Sequence, residues 1–392
     1  MNNKIGAKAL LPFFVANGLI YALQAVYFSF IPQYLSEIGG KSESEVGLIL
    51  SVGPFIGIFS LVLVGAAADR AKYKNTVLAV IVIIASLAFS LLQFGNSTVF
   101  YIIVLSVMMF FASPFCGLLD AITLEYTTAN AVKYGPIRIT GTLLYGLISL
   151  LLTALMTLFP NTVDSGIIIP AYLIIGSITV VAVFAAPKVQ GKAHGKVKVN
   201  YGEFFTDKTR VLLMIYVAAA QFAYGCYNNF MPIYLEKTLH LESWIWGVVV
   251  LLTVLGEVIF FLKFDTLFKR FSLKSVVLLT TVVMALRYLS FAFLPNTPAI
   301  LITSLLTGSF ITITVYAASY YINLTMKPES RAFGQTIMYS FAFYIPRCLS
   351  GFLAGAVVEA FSFETLMAAC GILGAILASA AGFFKFADKT AK

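Results

Sequence analysis

Twelve apolar stretches run through the chain, at 9–35, 46–68, 76–95, 98–125, 136–159, 165–187, 211–235, 244–264, 275–294, 298–325, 332–357 and 363–385. Each is long enough for a helix to cross about 30 Å of hydrocarbon, which takes about 20 residues. One such stretch can be a buried core helix. Twelve within 392 residues leave a soluble fold little to be built from. Composition agrees: the chain is 60% hydrophobic and 11% charged, where soluble domains run at about 45–50% and 25%. The runs are continuous rather than alternating, which argues against a barrel, and a helix satisfies its own backbone polar groups in lipid. The expected fold class is an all-α integral membrane protein with twelve transmembrane helices. The first stretch is too long for the apolar region of a signal peptide, and no small-residue cleavage site follows it, so it reads as the first span.

Lys and Arg set the expected orientation. With the N-terminus inside, 21 of the 26 basic residues fall in inner segments, only Lys41 and Lys237 fall outside, and Arg138, Arg287 and Arg347 lie within spans. Both termini are therefore expected in the cytoplasm, with the chain in a bacterial inner membrane. The net charge of +9 follows from this topology signal and calls for no nucleic acid. The longest polar stretch, KVQGKAHGKVKVNYGEFFTDKTR at 188–210, separates six spans from six. The expected organisation is an N-terminal six-helix bundle at 1–187, a basic cytoplasmic linker at 188–210 and a C-terminal six-helix bundle at 211–392, with the substrate site between the bundles. The halves echo each other. The first span exits through FSFIPQYLSEIGG and the seventh through YNNFMPIYLEKTL, while Asp69 and Asp265 each precede a basic cluster.

Charges inside spans are costly, roughly 2.5–3.5 kcal/mol each on insertion scales, and they mark substrate and ion pathways. Five stand well inside: Asp120, Arg138, Glu257, Arg287 and Arg347. Asp120 and Arg138 sit on consecutive spans with a short connection, so the two charges can approach. Tyr145, two turns after Arg138, shares its face. Guanidinium and carboxylate bind hydroxyls strongly, and the ring can stack on a solute. Asn17 and Gln24 share a face of the first span, with Tyr21 and Phe28 near that stripe. Gln221, Asn228 and Asn229 give the seventh span its polar groups. Glu257 interrupts VVVLLTVLGEVIFFL, and Arg287 is expected to be its charge partner. Arg347, beside Pro346, either bonds freed backbone carbonyls or receives an anionic group of the substrate. The four cysteines have no metal-ligand spacing, and His194 and His240 lie in predicted loops.

The segment GAAADRAKYKN resembles the loop motif between the second and third helices of the major facilitator superfamily, departing from it at Lys72–Tyr73. The resemblance implies that Gly65, Asp69 and Arg70 belong to a gate, with Asp69 set against a helix N-terminus, and Asp265 is its counterpart in the second half. Asp120, then Tyr134-Gly135-Pro136-Ile137-Arg138-Ile139-Thr140-Gly141, then Tyr145 is similar to the lactose permease branch and its nucleoside:proton and phenylpropionate relatives. The first loop matches as well, with Pro32, Tyr34, Leu35 and Gly47. That branch implies substrate binding by Asp120, Arg138, Tyr145 and Glu257, with Asn17, Gln24, Gln221, Asn228 and Arg347 added from the residues above. It implies proton coupling through Glu257, Arg287 and Asp120. Unlike lactose permease, the seventh span here has no acid, and the tenth has neither His nor Glu.

The expected function is proton-coupled import of a small polar solute, with a sugar or oligosaccharide first and a nucleoside or an aromatic or organic acid as alternatives. The expected energy source is the proton gradient, with no cofactor. Expected partners are the solute, protons and the lipid bilayer, for a monomer. An efflux antiporter is the competing transporter class. The Gly-Pro that marks efflux members near the end of the fifth helix is missing from GTLLYGLISLLLTALMTLF. A lipid flippase would call for a more apolar second half. No nucleotide loop, metal cluster or nucleophile–base pair points to an enzyme.

Overall fold

The structure is a computed structural model describing residues 7–160, 162, 164–191 and 202–383. Among these residues every regular element is helical. In the first half they are α1 (Ala7–Glu37), α2 (Glu43–Arg70), α3 (Lys74–Ser90), α4 (Thr98–Ala112), α5 (Phe115–Ala129), α6 (Gly135–Leu158) and α7 (Ile168–Ala185). In the second half they are α8 (Lys208–Lys237), α9 (Trp244–Arg270), α10 (Leu273–Phe293), α11 (Thr297–Thr325), α12 (Pro328–Tyr339), α13 (Ile345–Ala360) and α14 (Phe363–Phe383). Ten spans meet the length and hydropathy of a membrane crossing, and α9 and α11 add apolar stretches at Trp244–Phe260 and Thr297–Thr307. The fold is thus the expected twelve-helix one. Lipid-facing side chains stay exposed and apolar, as at Phe59, Val62, Val181 and Ile302, because hydrocarbon asks only that backbone polar groups be paired.

Two spans depart from single helices, and proline explains both. The fourth breaks at Ser113–Pro114 into α4 and α5. The eleventh carries a π turn at Ser340–Tyr344 just ahead of Pro346. Pro346 has no N–H to give the preceding turn, and its ring crowds the carbonyl four residues back. Widening that turn relieves the clash, and single π turns often occur at functional sites. Elsewhere the ends are capped as the sequence dictates. Ser42 and Glu45 form a reciprocal capping box on α2, and the side chains of Ser97, Asp207, Ser272 and Asn296 accept from the first turns of α4, α8, α10 and α11.

The repeated Pro-x-Tyr-Leu exits adopt the same local structure. The N–H groups of Ile38 and Gly39 bond Tyr34 O and that of Lys41 bonds Leu35 O; those of Thr238 and Leu239 bond Tyr234 O and that of Leu241 bonds Leu235 O. Gly40 (φ 61°) and His240 (φ 51°) both take the left-handed conformation. Each tyrosine then anchors its exit. Tyr34 Oη donates to Leu92 O at 3.2 Å, and Tyr234 Oη donates to Glu364 at 2.6 Å.

Among the described residues, the hydrogen bonds that join the two halves gather toward the end opposite the linker. Gln33 donates to Glu236 at 2.7 Å, Ser44 N to Glu359 at 2.8 Å, Trp244 N to Thr157 at 3.1 Å, and Trp246 Nε1 to Ser29 O at 2.9 Å. There α2 and α13 touch backbone to backbone. A Cβ on Gly47 would strike the Gly351 carbonyl and lie 3.0 Å from Gly355 Cα. At the linker end, hydrogen bonds among the described residues run within each half. Lys74 N and Gly191 N bond Val189 O and Ala71 O, and Asn75 accepts from Val189 N. Lys327 N donates to Glu203, and that bond, with one from Ser330, holds the Glu203 carboxyl below the ordinary carboxylate range.

Substituting Gly47→Trp is expected to force α2 and α13 apart. Spin labels on Lys41 and Phe361 should report a longer distance in the variant than in the parent, and an unchanged distance would show that this contact does not hold the far end shut.

Candidate functional site

The far-end closure leaves a cleft between α1 and α2 on one side and α8 and α13 on the other. It holds about 430 Å³ of atom-free space, part of which is open solvent at its mouth. Its walls are Tyr27, Phe28, Ile31, Leu50 and Pro54 from the first half and Tyr224, Asn228, Asn229, Arg347 and Ser350 from the second. Helical spacing brings these together. Gln221, Tyr224 and Asn228 recur at three and four residues and share one face of α8, as Asn17, Tyr21, Gln24 and Phe28 do on α1.

The α1 stripe connects two guanidinium groups. Arg138 lies 4.4 Å from the centre of the Tyr21 ring. Its Nε is 3.8 Å from Asp120 Oδ2, and Tyr134 Oη donates to Asp120 Oδ1 at 2.6 Å. The expected approach of Asp120 and Arg138 is present, and both remain partly exposed. Seven residues on from Tyr21, Phe28 lies 5.8 Å from Arg347, whose guanidinium is also 5.2 Å from the Tyr224 ring and 4.2 Å from that of Phe343. Arg347 Nε donates to Gln221 Oε1 at 3.2 Å, not to carbonyls freed by Pro346. Seven residues of helix rise put the two cationic sites about 10 Å apart along α1.

Tyr145 is within hydrogen-bonding distance of Ser29 Oγ at 3.4 Å and lies in electrostatic reach of Tyr224, Arg347 and Glu257. Tyr224 in turn feels Arg347, Glu257 and Arg287. Glu257 therefore belongs to this neighbourhood. Arg287 does not pair with it through any described ion pair. Its Nη1 donates to Thr303 O, and its guanidinium packs 4.8 Å from the rings of both Tyr227 and Phe291. It is 1% exposed, and Nε and Nη2 have no hydrogen-bond partner among the described residues. Arg287 thus meets a backbone carbonyl and a cation–π cage, and Tyr224 lies in electrostatic reach of both it and Glu257.

Other expected site residues divide between the cleft and the packing. Asn228 lines the cleft and donates to Phe28 O at 3.2 Å. Gln24 is partly buried on the α1 stripe. Asn17 is fully buried against α6, where a Cβ on Gly141 would strike its amide oxygen and the Tyr21 ring, and neither amide atom has a hydrogen-bond partner among the described residues. Of the gate residues, Asp69 pairs with Lys74 at 3.5 Å, and Lys74 also reaches Glu125 at 3.3 Å. Arg70 is exposed, and Gly65 has open space where a Cβ would stand. The ion-pair partner of Asp69 among the described residues is thus Lys74, the first residue of α3. Asp265 falls within α9, but its side chain lies outside the described residues. Sequence reasoning does not single out Tyr224 and Phe343, which cage Arg347, although Phe343 stands four residues before Arg347 and Tyr224 three after Gln221.

Twelve apolar helices around a cleft lined by charge, amides and rings define a multi-pass membrane transporter, with no enzyme chemistry assigned to it. The MFS_1 like family profile matches residues 15–369, and the chain belongs to that family. It is 27% identical to the uncharacterized transporter YwbF of Bacillus subtilis (strain 168) over 294 residues, which are 74% of this chain and 72% of that one. Its fold is similar to that of the nucleoside transporter NupG. The TM-score is 0.84 against the crystal structure of a point mutant of that protein, at 16% identity over 96% of this chain and 99% of that one. It is also similar to a bacterial homologue of the human lysosomal transporter Spinster in an inward-facing, unoccupied conformation, with a TM-score of 0.68 at 15% identity over 95% of each chain.

Arg138→Lys keeps the charge but loses the planar fork that matches carboxylate and hydroxyl pairs. Solute affinity measured by calorimetry should fall about tenfold or more, the weight of one charged hydrogen bond. Unchanged affinity would remove Arg138 from the site.

Proposed function

We propose that this transporter imports a small ring-bearing polar solute together with protons, by alternating access of a cleft between two six-helix bundles. The observation that carries this reading is the pair of guanidinium sites on one stripe of α1, about 10 Å apart, with aromatic rings at both. A solute of one or two rings bridges that distance. Its hydroxyls meet Arg138 and the Asp120 carboxylate, and its ring faces meet Tyr21, Phe28 and Tyr224. Sugars and nucleosides both have this form, and the aromatic walls weigh as much for a nucleoside base as the charged pair does for a sugar.

Arg138 with Asp120, Tyr145, Glu257, Gln221, Asn228 and Arg347 form the proposed solute site, with Gln24 beside it. Glu257 is the proposed proton carrier. It belongs to the cleft neighbourhood, where Tyr224 feels it together with Arg287, and Arg287 is the group proposed to help drive the proton off. Asp120, already held by Arg138 and Tyr134, is the weaker candidate. With the basic linker and both termini in the cytoplasm of a bacterial inner membrane, the far end is the outer one, and closure there corresponds to a cleft that loads or empties inward. The proposed gate is the Asp69–Lys74 pair beside Gly65 and Arg70, with Asp265 as its counterpart, and the working unit is a monomer.

Reconstituted liposomes with a trapped pH dye test the reading. A sugar or a nucleoside added outside should acidify the lumen in wild type. Glu257→Gln should retain solute exchange and lose uphill accumulation. Accumulation intact in that variant would move the proton site elsewhere, and no proton entry with any solute in folded wild type would contradict symport.

A further inference from the structure

We propose that the transported solute carries a carboxylate, and that Arg347 with its aromatic cage is the subsite that receives it. This rests on the transport reading above and names the solute class for the same cleft.

Arginine at this depth is normally matched. Arg138 has Asp120, and Arg287 has a carbonyl and two rings. Arg347 has no carboxylate within 4 Å among the described residues. Its hydrogen bond among those residues uses Nε, toward Gln221. The two terminal nitrogens of the fork remain for the cleft that the residue lines. The three rings around it favour a cation by their π faces, which holds the group charged without neutralising it. Gln221 adds a second donor: it is fully buried, spends its oxygen on Arg347, and leaves Nε2 without a described partner. An anion seated here meets the Arg347 fork with an amide donor next to it.

Closure makes this a choice between solutes. While the cleft is wet, water solvates Arg347. When the halves close around a neutral solute with Glu257 protonated, the water leaves and the cation is stranded, and a buried unpaired charge is costly. When they close around a carboxylate, the planar fork pairs with it in two parallel hydrogen bonds. Glu257 lies close enough for Tyr145 and Tyr224 to feel both it and Arg347. A proton on Glu257 removes the acid in this neighbourhood that competes with the solute for Arg347. Proton and carboxylate then enter as a neutral sum, and the closed site balances. The ring-faced walls hold the body of the solute, and the hydroxyl-binding pair at Arg138 lies about 10 Å away, so the acid is a ring carboxylate.

The test is calorimetric binding to the purified full-length protein, with solutes matched in pairs that differ by the acid group: glucuronate against glucose, orotidine against uridine, and benzoate against benzyl alcohol. In at least one pair the acid should bind about tenfold or more tightly than its neutral partner, and the pair that responds identifies the ring. Arg347→Gln should bring the acid down to the neutral level, with Arg347→Lys in between. Neutral members that bind as tightly as their acids overturn the carboxylate subsite and leave the transport reading standing. So does an acid preference that survives in Arg347→Gln of wild-type melting temperature. If Arg347→Gln does not fold, the wild-type ranking and Arg347→Lys decide. No binding by any of the six overturns both readings.

Discussion

Hydrocarbon does not tolerate an unmatched charge, and much of this structure is a set of answers to that constraint. Asp120 and Arg138 answer it by pairing, with Tyr134 filling a further acceptor site on the carboxylate. Arg287 answers it with a backbone carbonyl and two ring faces. Arg347 stands instead on the wall of the cleft. Arg287 is shut away from the cleft at 1% exposure, while the Asp120–Arg138 pair stays partly exposed. In the proposed reading the solute completes the match for Arg347, which makes that charge selective rather than structural.

Movement needs a second feature, a contact between halves that is close yet free of side chains. Gly47, Gly351 and Gly355 provide it at the far end, where α2 and α13 touch through their backbones. Nearby, the polar links Gln33–Glu236 and Ser44–Glu359 are partly or fully exposed. Such links close an end without welding it. The π turn before Pro346 lies on the same span, one turn from Arg347, so the contact that closes the far end and the cation on the cleft wall share a helix.

The twelve spans were legible because lipid demands long apolar runs and the chain supplies them almost without interruption. The Asp120–Arg138 pair was legible because a short connection makes their helices antiparallel neighbours. The repeat of Pro-x-Tyr-Leu was visible as letters, and its left-handed cap was not, because His240 stands where the first half has Gly40. Partnerships set by rotation about helix axes were hidden. That Arg287 meets Thr303 O and two rings could not be read from its place on the span after that of Glu257. The cage of Arg347 was hidden for another reason: with 20 tyrosines and 35 phenylalanines, an aromatic near an arginine carries no signal. The loop motif marks Asp69 but not its ion pair with Lys74, whose side chain turns inward while Arg70 stays exposed.

Under the proposed alternating access, the far end opens and closes each time solute passes the cleft. A reversible disulfide between Ser44→Cys and Glu359→Cys, in a background without the four native cysteines, locks that end, with solute uptake followed before and after reduction. The oxidised protein is expected not to accumulate solute, and reduction to restore uptake. Uptake by fully cross-linked protein at the rate of the reduced form would contradict that expectation.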